Sequence, residues 1–225
     1  MCGIAGFVGD KTKREARAII ERMTATLVRR GPDDQGTYVD QSAALGVRRL
    51  AVIDLRTGHQ PVSNEDGTLC AVQNGEIYNF RSLRERLRDL GHVFRTQSDT
   101  EVIVHAYEAY GEDCVTYLEG MFAFAVWDSR QRMLLLARDR MGEKPLYYYA
   151  GPDAFVFGSE LKALLSHPAV PRRLDLASLE HYLAFEYIPA PHSILAGVEK
   201  LPPGHVLTVS PGSKPNVSTW PGGSF

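Results

Sequence analysis

Two runs in the middle of the chain, "MFAFAVWD" and "RMLLLARD", limit the fold more than any other feature. Both are apolar almost without a break, and only Ser129–Arg130–Gln131 separates them. Such a pair reads as the antiparallel arms of a hairpin. Strands with apolar residues on both sides belong to a sheet covered on both faces. The covering layers must come from elsewhere in the chain.

Amphipathic segments supply them. "TKREARAIIERMTATLVRRG" reads as a helix, with Thr12 and Glu15 as a capping box and Ala16, Ile20, Met23 and Leu27 on one face. "RSLRERLRDLG" reads as a second, with Ser82 and Glu85 as its capping box and Gly91 as its stop. "SDTEVIVHAYEAYG" reads as a third, opened by Ser98 and Glu101. Strands are expected at "CGIAGFVG", "GTYVD", "AALGVRRLAVIDL", "TLCAVQNGEIYNF", "PLYYYAG" and "AFVFGSE", with a short helix at "LKALLSHP". The pattern predicts a layered α+β sandwich. After residue 170 a short helix and a hairpin about "PPG" are expected. Residues 212–225 are rich in Ser, Pro and Gly and read as a linker or ragged end.

Composition narrows the function. A net charge of -2 provides no basic field for nucleic acid. No apolar run reaches the roughly 18–20 residues of a membrane span, and the N-terminus lacks a signal peptide. Cys2, Cys70 and Cys114 are odd in number and far apart, which argues for a reducing, cytoplasmic setting. The seven histidines show no metal-ligand spacing, so no metal is expected.

Four places carry chemistry, each with a plainer alternative. Cys2 becomes the first residue once Met1 is removed, and then owns both a thiol and an α-amine that can serve as its base. The alternative is a buried, inert thiol. Asn74–Gly75 in "VQNGEIYNF" is either a hairpin turn or a pair of N–H donors for an oxyanion. Arg49 stands before the apolar run Leu50–Ile53 and suits capture of a carboxylate, whereas Arg48 points to the opposite face. Asp99 either complements a helix dipole or, with Glu76, holds an ammonium group. Together these residues describe acyl transfer from an amino acid with a side-chain amide.

The order "MCGIAGF", "RGPDDQG", "RRLAVIDL", "QPVSNEDG", "NGEIYNF", "SDTEVI", "GMFAFAVWD", "RDRMGEKPLYY" and "FGSELKALL" resembles the N-terminal glutaminase domain of asparagine synthetase (glutamine-hydrolysing). That family is a class II glutamine amidotransferase of the N-terminal-nucleophile hydrolase kind. The resemblance implies a four-layer αββα sandwich. It implies a glutaminase domain over residues 2–211, with 170–211 as the passage toward a synthetase (ATP-pyrophosphatase) domain. It implies Cys2 as nucleophile and Asn74 and Gly75 as the oxyanion hole. Arg49, Leu50, Ala51, Val52 and Ile53 match the glutamine carboxylate site, and Glu76 and Asp99 the groups on the α-amine. L-Glutamine is the implied substrate. The glutaminase half implies no cofactor, and ATP and Mg²⁺ are implied only for the synthetase domain. A homodimer is compatible with the resemblance. The synthetase domain and its SGGxDS loop do not occur in these 225 residues. "RDRMGEKPLYY" matches a region near the synthetase interface, which implies a docking surface. Gln73 departs from the family's usual apolar residue, and Glu143 is a second departure. The implied alternatives are a glutaminase half serving another acceptor in polysaccharide or peptide modification, and a non-catalytic glutamine-binding module.

Overall fold

The computed structural model describes residues 1–220. The first half runs β1 (Gly3–Val8), α1 (Lys13–Ala25), β2 (Asp34–Val39), β3 (Ala43–Arg49), β4 (Val62–Ser63), β5 (Leu69–Ile77), α2 (Phe80–Asp89) and α3 (Glu101–Tyr110). The second half runs β6 (Gly120–Asp128), β7 (Met133–Arg138), β8 (Tyr147–Ala150), β9 (Phe155–Gly158), α4 (Leu161–Leu164), α5 (Leu176–Phe185), β10 (Val198–Lys200), β11 (His205–Val209) and β12 (Asn216–Thr219). Among the described residues these strands form two six-stranded sheets, ordered β10-β8-β9-β1-β3-β2 and β12-β11-β7-β6-β5-β4. All the strand pairings are antiparallel.

Three apolar cores separate four layers. Ile20, Met23 and Leu27 of the first helical layer pack on Phe7 and Val156 of the first sheet. Between the sheets lie Ile4, Leu45, Phe157, Val72, Trp127 and Leu207. On the far side, Leu87, Val102 and Ile103 pack on Ile77, Phe122 and Phe124 of the second sheet. Burying each such side chain stabilises the fold by about 1.5–3 kcal/mol. The continuous apolar runs of β6 and β7 follow from this layering: one face meets the other sheet and one meets α2 and α3. No helix among the described residues is long and apolar enough to cross a membrane.

Local signals held in part. The Thr12–Glu15 capping box forms as expected. The helix it opens ends at Ala25 rather than near Gly31, where Thr24 and Thr26 hydroxyls donate to the carbonyls of Ile20, Glu21 and Met23 and compete with the helical ladder. Ser82 and Glu85 make no capping box, because α2 starts at Phe80 and Ser82 Oγ donates to the Asn79 carbonyl, 3.0 Å away. Ser98 and Glu101 make none either. Thr100 takes the N-cap position, and the Glu101 carboxylate turns back to accept from the N–H groups of Arg95 and Thr96.

The strand expected through Leu55 stops at Arg49. The chain bends there because Arg49 grips the carbonyls that follow it. The "PPG" hairpin does not form, since β10 lies in the first sheet and β11 in the second. Residues 212–220 are not ragged: β12 pairs with β11, and Trp220 is buried, stacked on Phe122 at 5.7 Å. The rest of that expected linker, 221–225, lies outside the described residues.

Candidate active site

Cys2 enters an interior strand, not a frayed end. β1 is paired on both edges, with β3 and with β9. Arg30 Nε donates to the Cys2 carbonyl at 2.8 Å, and its Nη1 meets Glu160 Oε1 at 3.2 Å. The buried Sγ accepts from the Leu50 N–H at 3.4 Å. Burial pushes the Cys2 thiol up, against smaller lowering effects from that N–H, the chain's amino terminus and Arg49. The sulfur is therefore protonated at neutral pH and needs a base to become a nucleophile. The α-amine that loss of Met1 would create on the same residue has a reference pKa of about 7.7–8.0 and fits that role.

Asn74–Gly75 is not a turn. Both residues lie inside β5, opposite Ala123 and Phe122 of β6. The side-chain amide of Asn74 is fully buried, and neither its nitrogen nor its oxygen has a partner. Burying an unpaired amide costs roughly 1–3 kcal/mol, a cost that a bound ligand would relieve. Gly75 has φ 144° and a Cβ there would sit 2.0 Å from the Met121 carbonyl oxygen. Only glycine lets β5 pass this close to β6.

Arg49 is buried at the end of β3. Its Nη2 donates to the carbonyls of Ile53 and Asp54 at 2.8 and 2.7 Å, which curls the segment after β3 into a loop. Asp54 fastens that loop to the residues before Asp99, accepting from the Gln97 N–H at 2.8 Å. Slight burial works to raise the Asp54 carboxyl, but hydrogen bonds from Thr57, Gln97 and Arg56 bring it down to about 2. Asp99 precedes α3 rather than sitting in its first turn. Its Oδ2 accepts from Ile77 N at 2.9 Å and from Gln73 Nε2 at 3.3 Å. Burial raises the Asp99 carboxyl, these two donors oppose the rise, and the Glu76 charge adds to it.

Cys2, Arg49, Leu50, Val52, Ile53, Asn74, Gly75, Glu76 and Asp99 all line one cavity of about 130 Å³. Ala51 does not line it; its N–H donates to Asp33 Oδ2 at 2.9 Å instead. The apolar run Leu50–Ile53 was expected to lead into buried strand, yet Val52 is exposed because the loop carries it out. Met1 also lines the cavity and holds its Sδ 3.5 Å from Lys144 Nζ.

Sequence reasoning passed over Arg30, Gln60 and Thr100, and left Gln73 without a role. Gln73 alternates with Asn74 to the opposite face of β5 and holds Asp99. Gln60 accepts from the Gln73 N–H at 2.7 Å and donates to Thr100 Oγ1 at 3.1 Å. A polar residue at position 73, in an otherwise apolar strand, was the available signal. In "RDRMGEKPLYY", Asp139 and Lys144 are buried, while Arg140, Met141 and Glu143 stay exposed. Asp139 accepts from four N–H groups, those of Phe122, Met141, Glu143 and Lys144, and Arg138 donates to the carbonyls of Gly142, Lys144 and Leu201. Arg140 lies over the Trp220 ring at 4.8 Å. The N–H of Glu143 is thereby part of the loop that Asp139 organises.

A thiol with a prospective base, a partnerless amide donor, a buried guanidinium and two carboxylates in one pocket suit acyl transfer from a zwitterionic amide. Comparison with known proteins agrees. The family described as "Glutamine amidotransferase domain" matches residues 1–220. "Asparagine synthetase [glutamine-hydrolyzing] 3" of Bacillus subtilis is 41% identical over 224 residues, covering 98% of this chain and 36% of that protein. The corresponding protein 3 of Arabidopsis thaliana is 46% identical over 167 residues, covering 73% of this chain and 28% of its own length. The chain thus spans about a third of the length of these relatives. Among solved structures, the glutamine phosphoribosylpyrophosphate amidotransferase of B. subtilis superposes with a TM-score of 0.70 at 21% identity, over 99% of this chain and 50% of that one. A second, described as the allosteric regulatory enzyme of purine biosynthesis, gives 0.72 at 21% identity, again over 99% of this chain and 50% of that one. Both share the fold of this chain. The chain belongs to the glutamine amidotransferase domain family.

Proposed function

We propose that this chain hydrolyses L-glutamine to glutamate and ammonia, and that it supplies the ammonia for asparagine synthesis from aspartate in a partner synthetase domain or subunit. The observation that carries the reading is the pairing, in one pocket, of the Cys2 sulfur with the buried, partnerless amide of Asn74. Arg49 takes the substrate's α-carboxylate beside the Leu50–Ile53 loop, and Glu76 and Asp99 take its ammonium group.

The steps follow from these positions. The Cys2 α-amine accepts the thiol proton and Sγ attacks the side-chain carbonyl carbon. The carbonyl electrons move onto oxygen, where Asn74 Nδ2 and the Gly75 N–H stabilise them. The amine then protonates the departing nitrogen, which leaves as ammonia and closes the γ-glutamyl thioester. Water attacks the thioester, its proton passes to the amine, and glutamate departs as Sγ recovers its proton. ATP and Mg²⁺ belong to the synthetase half in this reading, which acts in the cytoplasm.

Two features support a partner. The relatives named as asparagine synthetases are about three times as long as this chain. In addition, α5 leaves Leu176, Tyr182, Leu183 and Phe185 exposed, a run of apolar surface suited to a neighbouring domain.

The test uses protein whose loss of Met1 is confirmed by mass. Incubation with glutamine should release glutamate and ammonia in equal amounts, even if slowly. No glutamate from the processed chain would overturn the reading. The pH dependence adds a second check. Because burial holds the Asp99 carboxyl up, its charge is lost at a higher pH than that of an ordinary aspartate as pH falls. KM for glutamine should therefore rise early on acidification, and Asp99→Asn should give a high KM with a flattened acid limb. A KM that is flat through the acid range in the parent chain would remove Asp99 from ammonium binding.

A further inference from the structure

Two of the histidines, which show no metal-ligand spacing along the chain, meet in space. Glu65 follows β4, His92 follows α2, and His105 and Glu108 lie on α3 one turn apart. None of the four lines the Cys2 pocket. One ligand-type atom from each falls within 4.8 Å of the others.

His105 is a buried polar side chain, 1% exposed, and neither ring nitrogen has a hydrogen-bond partner. Its Nδ1 lies 3.7 Å from Glu65 Oε2 and 3.6 Å from Glu108 Oε2, while His92 Nδ1 lies 3.3 Å from the same Glu108 oxygen. These separations exceed the 2.7–3.2 Å of a protein hydrogen bond. They approach the edge of a tetrahedron around a zinc-type ion, about 3.3–3.4 Å for bonds of about 2.0–2.1 Å.

The surroundings are arranged in the same sense. Each carboxylate uses one oxygen for a fixed hydrogen bond and leaves the other for the cluster. Glu65 Oε1 accepts from Val93 N at 2.7 Å, and Glu108 Oε1 accepts from Asn64 Nδ2 at 3.2 Å. On the far edge of the His105 ring, Nε2 lies 4.0 Å from Glu101 Oε1, itself fixed by the Arg95 N–H at 2.7 Å. That carboxylate stands behind the imidazole but beyond hydrogen-bond distance. Phe94 packs against the same ring at 4.5 Å and shields it.

We propose that Glu65, His92, His105 and Glu108 form a binding site for a divalent transition metal of the zinc type. Two imidazoles and two carboxylates are an N/O set that such an ion accepts. The ion ties the turn at Glu65 and the segment after α2 to the body of α3. That segment, 92–100, ends at the residues that carry Asp99, so the site braces one wall of the active pocket from outside it. A plain histidine–carboxylate network is the competing account.

The full chain, stripped with chelator and dialysed, is titrated with Zn²⁺ by calorimetry and with Co²⁺ by visible absorption. One equivalent should bind, with a tetrahedral Co²⁺ spectrum and a higher Tm. The double variant Glu65→Gln, Glu108→Gln keeps side-chain size on two partly exposed positions, and its circular dichroism should match the parent. It should bind Zn²⁺ at least about tenfold more weakly and lose the Tm rise. The Cys2→Ala chain should keep the full equivalent. The proposal is overturned if the parent binds no equivalent, if the double variant binds as tightly as the parent, or if the Cys2→Ala chain loses the ion.

Discussion

Replacing Cys2 with alanine should abolish glutamine hydrolysis and leave the fold intact. Loss of a nucleophile in such a site costs on the order of 10⁶-fold in kcat. The fold should survive because Sγ makes only long contacts with the Leu50 backbone, accepting from its N–H at 3.4 Å and donating to its carbonyl at 3.7 Å, while the strand is held through backbone groups and Arg30. Cys2→Ser should fail almost as badly, since a hydroxyl is far less acidic than a thiol. Retention of Met1 should have the same effect with the thiol present. The amine would then lie one residue away from the sulfur, and the Met1 side chain would still line the cavity. Ammonia release by chains of known N-terminal mass checks all three, with Tm as the control. A fully active Met1-bearing chain would remove the α-amine from the mechanism.

Asn74→Ala should lower kcat by about 10²–10³, equivalent to about 2.7–4 kcal/mol of oxyanion stabilisation, with KM little changed. The site is unusually clean for this test. The Asn74 amide has no protein partner, so its removal breaks no hydrogen bond within the fold. A residue that only filled space would move Tm and leave the kcat-to-KM balance alone. Asn74→Asp keeps the shape but replaces a donor with a negative charge, and should be worse than alanine. Gly75→Ala is a poorer probe, because the clash with Met121 would displace β5 from β6. Steady-state kinetics with a melting curve on each variant separates the two roles.

The layering was legible because it follows from pattern. The apolar runs of β6 and β7 require cover on both faces, and the amphipathic α1, α2 and α3 provide part of it. The pocket was legible as a set of residue types in chain order, and all but Ala51 of the expected residues meet there. What escaped depends on contacts between distant segments. "NG" carries a turn signal, yet the register of β5 with β6 overrides it and turns Asn74 inward. "SDTE" has the spacing of a capping box, yet Asp99 is drawn away to Ile77 N and Gln73, and Glu101 to the loop before it. Arg30 carries no local signal at all; its role exists only because the turn after α1 sets it beside the Cys2 carbonyl. The same holds for His92 and His105, thirteen residues apart in the chain, whose rings lie 5.0 Å apart.

The most direct measurement is covalent trapping of the nucleophile. The Met1-free chain is treated with a glutamine analogue bearing an electrophilic ketone, with and without excess glutamine, and the label is mapped by peptide mass spectrometry. Cys70 and Cys114 are internal controls: both are buried, and burial pushes the Cys70 thiol up to about 12 and the Cys114 thiol up as well. The expected result is one label per chain, on Cys2, suppressed by glutamine and missing from the Met1-bearing form. A processed chain that takes no label on Cys2, or takes it equally in the presence of saturating glutamine, would contradict the account.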